Sequence, residues 1–270
     1  MPVTVSKVVE VCNRPGTSPV DLNRVISVDP VLMARVMKLI NSAYYGVSGK
    51  VTSLSRAIIM LGINTVKNLA LSTAVVNVIG KSVSASALNM QGFWRHSLGV
   101  GVTAKLIAKR RGVDASQIEE YFIAGLLHDI GKIPLNNVLK ERYIEVLGYA
   151  DREHIGLSEA ESRELGFTHA DVGRMIGEGW NIGSAVIDTL SYHHLAANYG
   201  GDHRDLVTTV HIANYFMNIA EVGFAGDRYP QRPEKVCYDA LGIELSLLDD
   251  IEDEVDAEIV KAEIFLKVAD

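Results

Sequence analysis

An imidazole and a carboxylate stand side by side at the end of a strongly apolar stretch of the chain. No side chain from Tyr121 to Leu127 is charged, and His128 and Asp129 follow directly. A helix that is apolar on every side is normally buried. An ionised carboxylate in such surroundings needs a cation, a metal ion or several hydrogen bonds to offset its loss of hydration. The pattern therefore predicts a compensating partner opposite His128 and Asp129.

Further histidines on predicted helices extend this pair to a set of candidate metal ligands. The set consists of His96, His128, Asp129, His169, His193 and His194. Imidazole and carboxylate together suit iron, manganese, zinc or nickel, whereas calcium and magnesium prefer sites built from oxygen. We therefore expect a divalent transition metal at this set.

A polar core network without any ligand is the alternative interpretation of the same residues. In that case Asp129 accepts hydrogen bonds from nearby backbone, and His128 is a core histidine with a satisfied ring. Three histidines lie outside the set. We expect His154 and His203, which sit in polar stretches, to be exposed, and His211, on an apolar face, to be a core histidine bonded to a neighbour.

Helix caps mark the elements of the first quarter of the chain. Ser18-Pro19 and Asp29-Pro30 each place a capping side chain before a proline, which is tolerated at the first helical position. Ser53 precedes a third apolar segment that Gly62 closes. These signals predict short helices that begin at residue 19, cover residues 31–40 and 54–61, and continue over residues 64–79 up to Gly80.

The second helical unit carries the candidate ligands. A small, polar stretch over residues 81–87 is the best candidate for a boundary before it. A helix from about residue 91 places His96 on its buried face and ends at Gly112. We expect Asp114 to cap the helix of His128, Ser158–Glu161 to form a capping box and Gly166 to end the helix that follows. Thr168 is expected to cap a helix that begins at His169, and Asp205 to open the helix of Asn214. The run over 184–197 is expected to be helical and to carry His193 and His194.

Negative charge is concentrated in the tail. Ten acidic residues and two lysines lie between Glu244 and Asp270, so this segment has a net charge of −8. The other 243 residues have a net charge of +1, which gives −7 for the whole chain. The apolar residues of the tail fall close to one face of a helix: Leu248, Ile251, Val255, Ile259, Ala262 and Leu266. We expect this helix to pack on its own protein with its acidic face in water; a partner-binding or self-association helix is the alternative.

Composition excludes several classes of protein. A chain of 270 residues with 48% hydrophobic content can form one large domain or two small ones. No apolar stretch is long enough for a membrane span, and the N-terminus lacks the pattern of a signal peptide. Two cysteines are too few for a disulfide framework. We expect a cytoplasmic protein, and the lack of a basic stripe argues against duplex nucleic acid as a ligand.

The order of the candidate ligands is similar to that in the HD superfamily of metal-dependent phosphohydrolases, and by pattern to the HD-GYP cyclic-dinucleotide phosphodiesterases. The first quarter resembles the N-terminal half of the HDOD domain, the HD-related output domain of bacterial signalling proteins. Three stretches carry this second resemblance: Val28-Asp-Pro-Val-Leu32, Ile40-Asn-Ser-Ala-Tyr44 and Ala57-Ile-Ile-Met-Leu-Gly62. Together the resemblances cover residues from about 18 to about 220.

The resemblance implies an all-α fold in which a helical N-terminal subdomain (1–85) packs on an HD-like helical bundle (86–225). An extension with the acidic amphipathic helix (226–270) follows. In an HD enzyme His96, His128 and Asp129 would bind a metal, and Lys132 would lie near a phosphate, so Asp129 and Lys132 are the candidate catalytic residues. In HD-GYP relatives His169, His193 and His194 would hold a further metal, which implies one or two ions of iron, manganese, nickel or zinc.

Two departures from the resemblance count against turnover. The late aspartate of the HD pattern is replaced by Asn214, and the glutamate that follows the paired histidines of HD-GYP enzymes is replaced by Leu195; the Gly-Tyr-Pro element is absent. We therefore expect a regulatory module that acts through signalling proteins or a small nucleotide ligand and can bind metal. The alternative is a metal-dependent phosphohydrolase or phosphodiesterase acting on a nucleotide or cyclic dinucleotide.

Overall fold

The computed structural model describes residues 3–80, 87–244 and 246–269, and no strand occurs in this part of the chain. The expected all-α fold is therefore confirmed. The sequence between residues 81 and 86, which holds most of the predicted subdomain boundary, lies outside the described residues. The limits of the three predicted segments remain a prediction.

Five helices form the described N-terminal residues 3–80, and three of them begin at the caps that the sequence predicted. Ser18 and Asp29 accept hydrogen bonds from the first turns that follow them, and Ser53 does the same for the fourth helix. Gly62 closes that helix with a positive φ of 85°, which glycine adopts without strain. The helices are α1 (Val3–Asn13), α2 (Pro19–Ser27), α3 (Pro30–Ile40), α4 (Leu54–Leu61) and α5 (Ile63–Gly80).

Eight helices and a 3-10 turn form the middle of the chain, which carries the candidate ligands. The long helix α6 lies against both α7 and α13, and α11 packs on α12. The elements are α6 (Met90–Arg110), α7 (Ile118–Leu127), α8 (Lys132–Leu139), α9 (Glu141–Glu153), α10 (Leu157–Leu165), α11 (His169–Gly179), α12 (Ser184–Tyr192), a 3-10 turn (Ala196–Asn198) and α13 (Arg204–Ile219).

Two of the predicted caps are wrong. Asp114 accepts a hydrogen bond from the backbone of Ser116, so it caps a turn that precedes α7 rather than the helix itself. Ser158 is not a cap, because α10 begins one residue earlier, after Gly156. The cause is the same in both cases: a capping side chain is recognised only from its distance to an apolar run, and that distance is uncertain by a residue or more.

The tail packs back on the body of the protein. It consists of α14 (Lys235–Leu241), α15 (Ser246–Ala262) and α16 (Ile264–Ala269). Five of the six residues expected on the apolar face of α15 and α16 are buried, and Leu266 is half-buried; α15 lies along α6. The expected packing is thus confirmed. In the described residues no helix is long and apolar enough to cross a membrane.

Candidate metal centre

Close helix packing brings the first candidate ligands together. The helices α6 and α7 approach at Gly101 and Gly125, where a Cβ on Gly125 would lie 2.7 Å from the Cα of Gly101. Any larger residue at this crossing would force the two helices apart. The approach places the ring centroids of His96 and His128 5.7 Å from each other.

A glycine also positions the third ligand-bearing helix. Gly131 does not end a helix, because α7 already ends at Leu127, and its φ is an ordinary −64°. Its importance lies elsewhere, since a Cβ on Gly131 would lie only 2.0 Å from the carbonyl oxygen of His169. The absence of a side chain lets the first turn of α11 lie directly against the turn that carries Asp129.

Asp129 is the centre of the cluster. Its Oδ2 lies 3.3 Å from Nε2 of His128, and its Oδ1 lies 3.2 Å from Nε2 of His169 and 3.5 Å from Nε2 of His193. Nε2 of His169 in turn lies 2.9 Å from Nε2 of His194. The structure thus brings these five predicted ligands into contact with one another.

Hydrogen bonds on the far side of three rings fix which nitrogen faces Asp129. Nδ1 of His128 donates to the carbonyl of Gly125 at 2.7 Å, and Nδ1 of His193 donates to the carbonyl of Thr189 at 3.0 Å. Nδ1 of His169 donates to the carboxylate of Glu161 at 2.6 Å. Because Nδ1 holds a proton in each ring, Nε2 is the nitrogen that faces Asp129 and that a metal ion could bind.

The donor atoms fit transition-metal ions. Two groups of donors have atoms that all lie within 4.8 Å of one another: Asp129, His169, His193 and His194 in one, and His96, His128 and Asp129 in the other. Nε2 of His128 and Oδ1 of Asp129 are buried and lack a hydrogen-bond partner among the described residues. Such orphaned groups are costly to bury. Neutral imidazoles and a carboxylate suit iron, manganese, nickel or zinc.

The electrostatics agree with this donor set. Burial lowers the pKa of His96 to about 3, that of His193 to about 4 and that of His194 well below its usual range, so these rings are neutral. Burial pushes the pKa of Asp129 upwards, but His128 and Lys132 hold it well below its usual range. The aspartate is therefore ionised.

His169 differs from the other rings. Burial alone would lower its pKa, but the carboxylate of Glu161 outweighs this effect and raises the pKa to about 9. In the metal-free protein His169 is therefore the protonated ring of the cluster. A metal ion bound at Nε2 would take the place of that proton.

Lys132 lies inside the cluster. Its Nζ donates to Oδ2 of Asp129 at 2.6 Å, and its side chain is almost fully buried. This ion pair compensates part of the negative charge of Asp129. The role near a phosphate that the resemblance implies for Lys132 stays a prediction.

Asn214 contacts the outer edge of the cluster. Its Oδ1 lies 2.9 Å from Nε2 of His96 and accepts a second hydrogen bond, also of 2.9 Å, from Nδ2 of Asn218. A neutral amide thus occupies the place in which the HD pattern has an aspartate. This oxygen can ligate a metal only weakly, since it brings no negative charge.

The remaining histidines lie outside the cluster, as expected. His154 is exposed and His203 is partly exposed. His211 is buried, and its Nδ1 donates to the carbonyl of His193 at 2.7 Å, which supports the segment that carries two of the ligands. The interpretation of His211 as a core histidine bonded to a neighbour is confirmed.

Sequence reasoning missed Glu161. The sequence placed it in a capping box, whereas its side chain is fully buried and reaches His169 in the next helix. Burial tends to raise the pKa of Glu161, but the contacts with His169 and Tyr143 hold it below its usual range. No local signal distinguishes Glu161 from the other glutamates of α10, because its partners lie in other helices.

The cluster has little access to solvent. Of the six predicted ligands, five are buried, and only His194 is partly exposed. The residue that follows it, Leu195, is 55% exposed and brings an apolar side chain to the surface at this point. Within the described part of the chain, the ligands are thus enclosed by protein.

Comparison with known proteins decides the family. The sequence model of the HDOD domain matches residues 1–196. The chain belongs to the HDOD family. An HDOD domain protein of unknown function from Geobacter sulfurreducens is 25% identical to it and has a TM-score of 0.79, over 98% of this chain and 92% of that protein.

Two other relatives extend the comparison. A protein of Shewanella amazonensis, provisionally named a phosphohydrolase, shares the HDOD fold at 20% identity and a TM-score of 0.76, over the whole of this chain and 94% of that protein. An uncharacterized protein of Treponema pallidum is 25% identical over 217 residues, which is 79% of this HDOD chain. The chain spans only 41% of the length of that curated relative.

Proposed function

We propose that this HDOD protein is a signal-transduction module that holds one or two divalent transition-metal ions at the Asp129 cluster. The observation that carries the proposal is the convergence of imidazole nitrogens on an ionised, fully buried aspartate. When bound, a metal would supply the positive charge that the orphaned Oδ1 of Asp129 and Nε2 of His128 lack. His96, whose Nε2 contacts Asn214, would contribute to the second donor group together with His128 and Asp129.

The enclosure of the cluster supports a regulatory rather than a catalytic use of the metal. A catalytic ion needs an open coordination position at which a substrate or water can bind. Here the ligands are buried apart from His194, and the neutral Asn214 leaves a dication less well compensated than an aspartate would. Both features favour a metal that stabilises or switches the module over one that turns substrate over.

The metal content tests this proposal. Elemental mass spectrometry of the untagged protein, purified without chelator, is expected to find one or two transition-metal ions per chain. Asp129→Ala removes the residue that both donor groups share, so the ions are expected to be lost. The absence of metal from the wild type, even after incubation with Mn²⁺ or Fe²⁺, would contradict the proposal.

A phosphohydrolase is the second candidate function, and one observation favours it. Asp129 belongs to both donor groups, so the cluster offers donors for two ions that would share this residue. Two-metal sites of this kind stabilise the attacking and leaving oxygens of a phosphate ester. A panel of nucleotides and cyclic dinucleotides, assayed with Mn²⁺, Fe²⁺ and Ni²⁺, tests this function. Any turnover has to disappear in Asp129→Ala.

The acidic face of α15 is the surface that we propose for a protein partner. Its apolar residues are buried against the body, so the helix presents a fixed row of carboxylates to solvent: Asp249, Asp250, Glu252, Asp253, Glu254 and Asp256. A basic surface on a signalling protein would complement this charge. The triple variant Asp250→Asn, Asp253→Asn, Asp256→Asn is expected to lose such partners in pull-downs. Unchanged partners would exclude this surface.

A further inference from the structure

Glu161 is a fully buried carboxylate whose hydrogen bonds are directed at one candidate ligand. Its Oε2 accepts from the backbone N–H of His169 at 2.8 Å and from Nδ1 of the same residue at 2.6 Å. Its Oε1 accepts from the hydroxyl of Tyr143, which is itself buried, at 2.6 Å. Three donors therefore fix the position of the carboxylate, and two of them belong to His169.

We propose that Glu161 is a positioning residue that makes His169 the strongest imidazole donor of the metal site. This inference rests on the proposed function, since it assigns a role within that site. The carboxylate holds the proton on Nδ1 and turns Nε2 towards Oδ1 of Asp129, which lies 3.2 Å away. A carboxylate bound to the far nitrogen also increases the basicity of the ring that faces the metal.

The other rings of the cluster show what is special about this contact. His128 and His193 use backbone carbonyls, of Gly125 and Thr189, to hold their Nδ1 protons. A carbonyl fixes the tautomer but adds no full charge. Glu161 fixes the tautomer and also adds a full negative charge. This second negative charge lies beside a donor set in which Lys132 already compensates the charge of Asp129 in part. A bound dication would therefore depend on Glu161 for compensation as well as for geometry.

The variant Glu161→Gln separates charge from shape. It keeps the size of the side chain and an oxygen for the Nδ1 proton, but it removes the negative charge. We expect the Zn²⁺ affinity, measured by competition with a chromogenic chelator, to fall by about 10- to 100-fold. The absorption spectrum of the Co²⁺-loaded protein is expected to change as well, because the ligand field depends on the donor strength of His169. A purely structural role would leave that spectrum unaltered.

Two matched variants keep the test decisive. Glu161→Asp retains the charge and is expected to restore part of the affinity. Tyr143→Phe removes one hydrogen bond to Glu161 without touching His169, and we expect a smaller loss of affinity, which still tests the role if Glu161→Gln fails to fold.

The outcomes distinguish this inference from the proposed function. Wild-type protein that binds neither Zn²⁺ nor Mn²⁺ nor Fe²⁺ would overturn both. Wild-type protein that binds Zn²⁺, together with a Glu161→Gln variant of equal affinity and an identical Co²⁺ spectrum, would overturn the role of Glu161 alone. If Glu161→Gln does not fold, unchanged affinity in Tyr143→Phe would overturn it in the same way.

Discussion

Two buried clusters of charged side chains lie beside α6 and α7, and they differ in how far their own groups satisfy one another. In the first, Lys105 donates to Glu119, and Tyr45 donates to the second oxygen of the same carboxylate at 3.2 Å. Nζ of Lys105 also lies 4.5 Å from the ring centroid of Tyr44. Every charge of this cluster therefore has a partner of opposite sign within the protein.

In the Asp129 cluster the charges are also paired, Asp129 with Lys132 and Glu161 with His169, but several acceptor atoms converge without enough protons to bond them all. Nε2 of His169 lies 3.3 Å from Nε2 of His193 and 2.9 Å from Nε2 of His194, so its single proton cannot satisfy both neighbours at once. Among the residues that the structure describes, Oδ1 of Asp129 and Nε2 of His128 have no hydrogen-bond partner. The difference teaches that burial of charge by itself says little about function. What indicates a ligand is a set of acceptors that converge on one point.

Breaking the Lys105–Glu119 ion pair is expected to have the largest effect on stability. Lys105→Met leaves the buried Glu119 without its cation, and the loss of one partner of a buried pair costs about 3–5 kcal/mol. Urea denaturation measures this change. The metal content should stay at the wild-type level, because Lys105 belongs to neither donor group.

The matched control for this prediction removes both charges. Because a well-packed apolar pair can replace a buried ion pair at little cost, Lys105→Met combined with Glu119→Leu is expected to recover most of the lost stability. A double variant as unstable as Lys105→Met would show that packing, and not the unpaired charge, causes the loss.

Metal binding at the Asp129 cluster is expected to have the next largest effect on stability. A ligand that binds only the folded protein stabilises it by about 2.7 kcal/mol when its concentration is 100 times its Kd. Thermal denaturation with and without Mn²⁺ or Zn²⁺ should show this shift, and a chelator should reverse it. Asp129→Ala is the control, and a shift of the same size in that variant would place the binding elsewhere.

Adding a negative charge to the same cluster is expected to strengthen metal binding and to destabilise the metal-free protein. Asn214→Asp places a carboxylate beside Nε2 of His96, where it would attract a dication and strengthen metal binding by at least about tenfold. In the metal-free protein the same change buries an extra charge and should lower the free energy of unfolding. Titration with Zn²⁺ and denaturation of the metal-free variant measure the two effects. Equal Zn²⁺ affinity in the variant and the wild type would show that Asn214 does not belong to the metal site.

The smallest effect is expected for an ion pair at the surface. Arg110 on α6 and Glu254 on α15 form such a pair at 2.5 Å, but both side chains are nearly half exposed. Pairs of this kind contribute about 0–1 kcal/mol. Arg110→Ala should therefore change the midpoint of urea denaturation only slightly. A loss as large as that of Lys105→Met would contradict the distinction between exposed and buried charge.

Local chemistry explains which features were predictable from sequence. Ser18, Asp29 and Thr168 cap helices because each side chain bonds to backbone only a few residues away. The apolar face of α15 follows from the helical period in the same way. His128 and Asp129 were recognisable because they are adjacent, and three short stretches of the first quarter carried the resemblance to the HDOD domain that the family match then confirmed.

Contacts between distant parts of the chain explain what could not be predicted. The sequence determined the all-α fold, the helix starts with good caps and the identity of the candidate ligands. Only the tertiary structure decided that Glu161 supports His169, that Gly131 admits α11 to the cluster, and that Lys105 pairs with Glu119. Each of these contacts joins different helices or turns through side chains or close backbone approach. Residue type and spacing do not specify the packing that brings such groups within bonding distance.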